Sequence, residues 1–288
     1  MKRNLVVARV GRRSLHPCWL ESRRPRNWDL RLAPYEPIAG QDDLDCVVGE
    51  VVAGPKWSGL RTLLNEWDGW RAYDQIWFPD DDILANGDTL TRMFDVADAV
   101  GLDLFAPALH ESSPYTHFST MKNRSFFGRW VGFVEIMVPG FDRAALETLL
   151  PTLDLSTTGW GWGLDSLWPK LLNYENVGIL DGTSVIHTRP VGNFRDAELS
   201  RRVGEESDRI LATHDCGQTH TTFAGFGPDL ELRSMSAERL LAELARGWQY
   251  LVDEDARILP WLVHYQGLHF DFEPYPTSGT PVVRERGL

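Results

Sequence analysis

Short apolar runs alternate along this chain with stretches whose apolar positions recur at helical spacing, and that alternation predicts an α/β fold. Strands are expected at Leu5–Val10, weakly at Asp29–Tyr35, at Cys46–Ala53, at Ile76–Phe78, at Leu102–Leu109 and at Gly132–Val138. Pro107 favours an edge or the end of its strand. One helix is expected where Leu60, Leu63, Leu64 and Trp67 share a face behind a cap at Ser58. Another carries Leu90, Met93, Phe94, Ala97 and Val100, opened by Asn86-Gly-Asp88 and stopped by Gly101. Two more are marked by Ala145, Leu146, Leu149 and Leu150 after Asp142, and by Leu167, Trp168, Leu171 and Leu172. Val177–Leu180, an Asp181-Gly182 turn and Ser184–His187 read as a β-hairpin. Charged and amphipathic helices follow over Phe194–Thr213 and Ala237–Val252, and beyond about residue 214 strand signals are lacking. The expected organisation is a main domain over 1–213 and a helical or irregular C-terminal extension over 214–288 that wraps it.

One strand stands out. In Tyr73-Asp-Gln-Ile-Trp-Phe-Pro-Asp-Asp-Asp82 a short apolar run meets three consecutive carboxylates. Pro79 removes a backbone donor, so the ladder should stop there. In extended backbone Asp80 and Asp82 point together and Asp81 points away. Adjacent anions repel, and hard oxygen donors at a strand end suit Mg²⁺ or Mn²⁺ with a substrate phosphate completing the shell. A solvated acidic turn accounts for the same residues.

Further candidates are scattered along the chain, each with a plain structural alternative. The loop Gly159-Trp-Gly-Trp-Gly163 bends freely and offers Trp160 and Trp162 as platforms for sugars, or simply packs them. Asp165 follows at a helix start, either as an N-cap or as a carboxylate on a rigid seat for a general base. His187 ends a strand, as a ligand or as a core histidine. Glu135 interrupts an apolar run and must be paired or face a cavity. Lys56 precedes a helix, where it reaches a phosphate or snorkels to the surface. A local basic excess surrounds the first strand, with Arg9 within it and Arg12 and Arg13 placed to meet an anion at its end.

Composition narrows the classes. A chain of 288 residues with 43% hydrophobic content builds a large globular core. The net charge of −12 argues against a nucleic-acid partner. Cys18, Cys46 and Cys216 lie far apart, forming neither a metal spacing nor a disulfide framework, which suits a reducing compartment. The apolar run after Met1 is too short for a signal peptide, and no stretch reaches the length of a membrane span. A soluble, cytoplasmic protein is expected.

A strand ending in Asp-x-Asp, a glycine-tryptophan loop ending in an acid and a strand ending in His, in that order, resemble the GT-A nucleotide-sugar glycosyltransferases. The resemblance implies a mixed, mostly parallel sheet flanked by helices. It also implies Asp80 and Asp82 as motif acids on Mn²⁺ or Mg²⁺, His187 as third protein ligand and Asp165 as base of an inverting reaction. The loop reads Trp-Gly-Leu-Asp where that family has Trp-Gly-x-Glu-Asp, so a single acid remains. Lys56-Trp57, Asp80–Asp82, Gly132–Pro139, Trp162–Asp165, Val177–Asp181 and Val185–His187 also resemble a family labelled "lysine ketoglutarate reductase trans-splicing related", over about residues 45 to 190. The implied activity moves a sugar from a nucleoside-diphosphate donor, a UDP-sugar first, to the hydroxyl of a saccharide or other acceptor. Arg9, Arg12, Lys56, Asp80 and Asp81 would meet the donor, and Glu135, Trp160 and Trp162 the acceptor. Two rivals share these residues: a metal-dependent phosphodiester or phosphoryl hydrolase, and a non-catalytic carbohydrate- or nucleotide-binding module.

Overall fold

The computed structural model describes residues 3–40, 45–190 and 196–270, the last three by backbone alone. Its strands are β1 (Asn4–Val10), β2 (Trp28–Pro34), β3 (Val47–Val48), β4 (Gln75–Trp77), β5 (Ile83–Leu84), β6 (Leu104–Leu109), β7 (Gly128–Val131), β8 (Gly140–Asp142), β9 (Val177–His187), β10 (Thr222–Phe226) and β11 (Leu232–Arg233). They form one sheet in the order β11-β10-β7-β9-β6-β8-β4-β1-β2-β3, with β5 paired to β9 off that path. The helices are α1 (His16–Trp19), α2 (Lys56–Glu66), α3 (Gly87–Val100), α4 (Arg143–Leu149), α5 (Leu164–Leu171), α6 (Ala197–Thr213), α7 (Ala237–Gly247), α8 (Gln249–Glu254) and α9 (Ile258–Phe270). The expected α/β architecture is present: a mixed sheet, flanking helices and helices at the C-terminal end.

Strands β3, β2, β1, β4, β6, β9 and β10 run one way, and β8, β7 and β11 run against their neighbours. The carboxyl ends of β1, β4 and β9 therefore open on one side of the sheet. The β5–β9 pairing brings two of those ends together, because Ile83 lies opposite His187 and so carries Asp82 to it. β1 is buried along its whole length, as a central strand covered on both faces must be. Trp19, Trp28, Trp57, Trp70, Trp77, Trp130, Trp168 and Trp248 are buried, so most of the tryptophan content serves the core. Trp168 packs edge-on against Trp57 and Phe141. α3 has the caps its sequence announces: the Asn86 side chain accepts from Thr89 N–H, and Gly101 closes the helix at φ +73°.

Several expectations need correction. The valine-rich run expected to form a strand over Cys46–Ala53 pairs only at Val47–Val48, on the sheet edge, where Val47, Val48 and Val51 are exposed. α2 starts at Lys56 after Pro55, and the Ser58 hydroxyl bonds back to the Pro55 carbonyl without capping it. Pro107 lies mid-sheet; β8 pairs β6 only at Leu104 and Phe105, so the missing donor falls beyond that ladder, where the register with β9 shifts. The strand near Gly132–Val138 sits earlier, at β7, and residues 132–139 leave the sheet while Phe133, Val134 and Val138 stay buried. The Asp181-Gly182 hairpin does not form. β9 runs straight through, because Asp181 is buried on Arg129 and Gly182 N–H donates to the Phe127 carbonyl. The segment beyond 214 contributes β10 and β11, and the Ala237–Val252 helix breaks at Trp248 into α7 and α8. Phe194 lies outside the described residues, and α6 begins at Ala197. Among the described residues no helix is long and apolar enough to cross a membrane.

Candidate active site

At these strand ends lies a cavity of about 320 Å³, lined among others by Lys56, Trp57, Asp80, Asp82, His117, Glu135, Trp160, Trp162, Asp165 and His187. The acidic triplet splits as extended backbone dictates: Asp80 and Asp82 line the cavity and Asp81 does not. Asp81 ties the scaffold instead. Its carboxylate accepts from Gly11 N–H, the Tyr35 hydroxyl and the Arg189 guanidinium, which joins the ends of β1 and β2 to the segment after β9.

Asp80 meets Lys56, with Nζ 2.7 Å from Oδ1. Lys56 Nζ also donates to the carbonyls of Ile136 and Met137, at 2.9 and 2.7 Å, which uses all three of its hydrogens. Asp82 Oδ2 lies 3.2 Å from His187 Nε2, and His187 Nδ1 is 3.0 Å from the Pro114 carbonyl. Burial pulls the imidazolium down, but the bonds to Asp82 and Pro114 outweigh it and leave the His187 pKa raised. Asp82 Oδ1 is buried with no hydrogen-bond partner.

These details test the expected cation. Two donors sharing a Mg²⁺-sized ion lie about 3 Å apart, which Asp82 and His187 match. A carbonyl on Nδ1 orients the ring so that neutral Nε2 can ligate. Asp80, expected as a further ligand, is already held by Lys56. Among the described residues there is no group of three or more His, Cys, Asp and Glu side chains able to hold a metal. The fit is to a two-donor seat that phosphate oxygens would complete.

Asp165, which also lines the cavity, is the second residue of α5, whose N-cap is Gly163 at φ +91°. The N-cap alternative for Asp165 is thereby excluded. The side chain is buried, and burial pushes its pKa up to about 7 against the pull of Ser166 and nearby backbone N–H groups. Glu135 is likewise pushed up to about 7, first by burial and then by Asp165. The two are neighbours through the backbone, Val134 N–H donating to the Asp165 carbonyl at 3.3 Å. Glu135 Oε2 is buried without a hydrogen-bond partner.

The aromatic loop between them depends on its glycines. Gly159, Gly161 and Gly163 have φ of +75°, +80° and +91°, a region that side chains strain to adopt. A Cβ on Gly161 would also lie 2.4 Å from Trp57 Cδ1. Glu206, from α6, holds the approach to this loop, accepting from the hydroxyls of Ser156, Thr157 and Thr158 and from Thr158 N–H at 2.6–3.0 Å. Sequence reasoning missed Glu206, as it missed His117 and Ser207 in the cavity wall. The only hint was the Ser156-Thr-Thr158 run, three hydroxyls in need of a shared acceptor.

The cavity thus collects Lys56, Asp80, Asp82, Glu135, Trp160, Trp162, Asp165 and His187. It does not include Arg9, Arg12 or Asp81, three of the residues expected to meet the donor. Arg9 is buried under the loop after β3, donating to the carbonyls of Ala33, Pro34, Val52 and Gly54. Arg12 is on the surface with Glu36.

No protein-family model matches the sequence, and no curated protein does. Among solved structures the chain is similar to S. aureus TarS 1-349, with 15% identity and a TM-score of 0.45 over 74% of this chain and 70% of that one. The same portion of TarS in complex with UDP-GlcNAc aligns with 14% identity and a TM-score of 0.45, over 74% and 71% of the two chains. A197 from STIV aligns with 12% identity and a TM-score of 0.37, over 66% and 86%.

Proposed function

We propose that this chain is a glycosyltransferase that moves a sugar from a nucleoside diphosphate, a UDP-sugar first, to an acceptor hydroxyl, with inversion. What carries the reading is one observation: acids at the end of β4, the histidine at the end of β9, the glycine-tryptophan loop and a buried carboxyl at a helix start meet in a single cavity. Asp82 and His187 would hold Mn²⁺ or Mg²⁺, which when bound offsets the charge of the leaving diphosphate. The chain's own residues supply the rest. Trp160 and Trp162 give sugar rings a face to stack on. Lys56 keeps Asp80 and the turn at residues 136–137 in place, and Glu206 does the same for the aromatic loop. Asp165, held near neutrality, is partly ionised at pH 7 and takes the acceptor's proton as the hydroxyl attacks. General-base help of this kind is worth roughly 10²–10⁴ in rate.

Calorimetry with UDP and UDP-GlcNAc, in Mn²⁺ and again in EDTA, tests the reading. Binding that needs the metal and is lost in D82N is the expected result. Absence of nucleotide binding in both conditions rejects it.

A further inference from the structure

The cavity contains more acid than the chain neutralises. Lys56 and His187 are the cations beside Asp80, Asp82, Glu135 and Asp165, and their hydrogens are directed elsewhere. Lys56 is taken by Asp80 and two carbonyls, and His187 by Asp82 and Pro114. No Arg, Lys or His side chain among the described residues forms an ion pair with Glu135 or Asp165. Both side chains are more than nine-tenths withdrawn from solvent, at 8% and 7% exposure, and Glu135 Oε2 points at no donor. Thr120 bonds Glu135 and Ser166 bonds Asp165, but neither partner carries charge, and a buried carboxylate without a counter-charge is costly, the more so for Glu135 because Asp165 repels it. A hydroxylated ring relieves neither cost fully. An ammonium relieves both: it can hydrogen-bond the unpartnered Glu135 Oε2 while its charge offsets Asp165 and suits the indole faces nearby.

We propose that the ligand on this wall carries a protonated amine, seated on Glu135 beside Asp165. As the identity of an acceptor this rests on the transferase reading, and makes the acceptor an amino sugar or amino alcohol. The binding site itself does not depend on that reading.

Saturation-transfer NMR or calorimetry at pH 7, without nucleotide, with glucosamine, glucose and N-acetylglucosamine as probes, measures the preference directly. Glucosamine differs from the other two in its charge, and a charge-assisted contact should favour it by about tenfold or more. E135Q should bind the three alike, and D165N should weaken the preference, each with an unchanged circular dichroism spectrum. Equal binding of the three by the wild type, binding of none, or a full preference surviving in E135Q overturns the proposal. An amine preference without nucleotide binding would reject the transferase and leave this site standing; nucleotide binding without the preference would do the reverse.

Discussion

Asp181 and Asp165 are both buried aspartates of one α/β frame, and they do opposite things. Asp181 is met by Arg129 through two hydrogen bonds, at 2.9 and 3.1 Å, and accepts from Asn123 N–H as well. Arg129 gives two further hydrogens to the carbonyls of Ser119 and Met121 and stacks over Trp248. Nothing in that cluster is left to react, and it fastens the long loop after β6 to the sheet and to the C-terminal helices. Asp165 has Ser166 and helix N–H groups but no cation, and it faces open space beside Glu135. A buried charge that is fully answered is scaffold. One left unanswered on a cavity wall is where binding energy or proton transfer is available.

The two aspartates should respond oppositely to loss of charge, with the largest effect at Asp181. R129M strands a buried carboxylate and should cost about 3–5 kcal/mol in urea denaturation. The double variant R129M/D181L should recover a good part, and failure to do so would mean that the pair does more than neutralise itself. At the other end, D165N and E135Q should stabilise the protein by about 1–3 kcal/mol above pH 7, since each removes an uncompensated buried acid. The sign follows from proton counts. Both folded pKa values, about 7, lie above the ordinary carboxyl range, so between roughly pH 4 and 7 the folded state binds more protons than the unfolded one. Wild-type stability therefore falls as pH rises through that window and levels off above it. Each variant should flatten the slope, and an unchanged slope would show these groups to be solvated. E206Q should cost about 1–2 kcal/mol and alter the tryptophan emission, because the loop carrying Trp160 and Trp162 loses its charged acceptor. R12A should change stability by less than about 0.5 kcal/mol and leave nucleotide binding alone, as expected for an exposed pair.

Much of the frame was readable from local pattern. Asn86 and Gly101 bound α3 because cap chemistry is local, β1, β4 and β6 announce themselves through apolar runs, and β2 shows only a weak alternation. The readings that miscarried are those in which a distant partner decides. Asp181-Gly182 has the composition of a turn, yet Arg129, far away in sequence, claims the aspartate and keeps β9 straight. Val47 and Val48 look like core but end on an edge. At the site, alternation correctly separated Asp81 from Asp80 and Asp82, and the order of motifs brought Asp82, Asp165 and His187 to one place. Lys56 on Asp80, and Glu206 beneath the aromatic loop, are contacts between elements that periodicity does not encode.

D165N measured beside the wild type for donor turnover and for donor binding, under the same conditions, shows whether Asp165 is the base. Sugar transfer should fall by roughly 10²–10⁴ while affinity for the nucleotide sugar stays the same. Turnover undiminished in D165N, or lost only in step with donor binding, would contradict it.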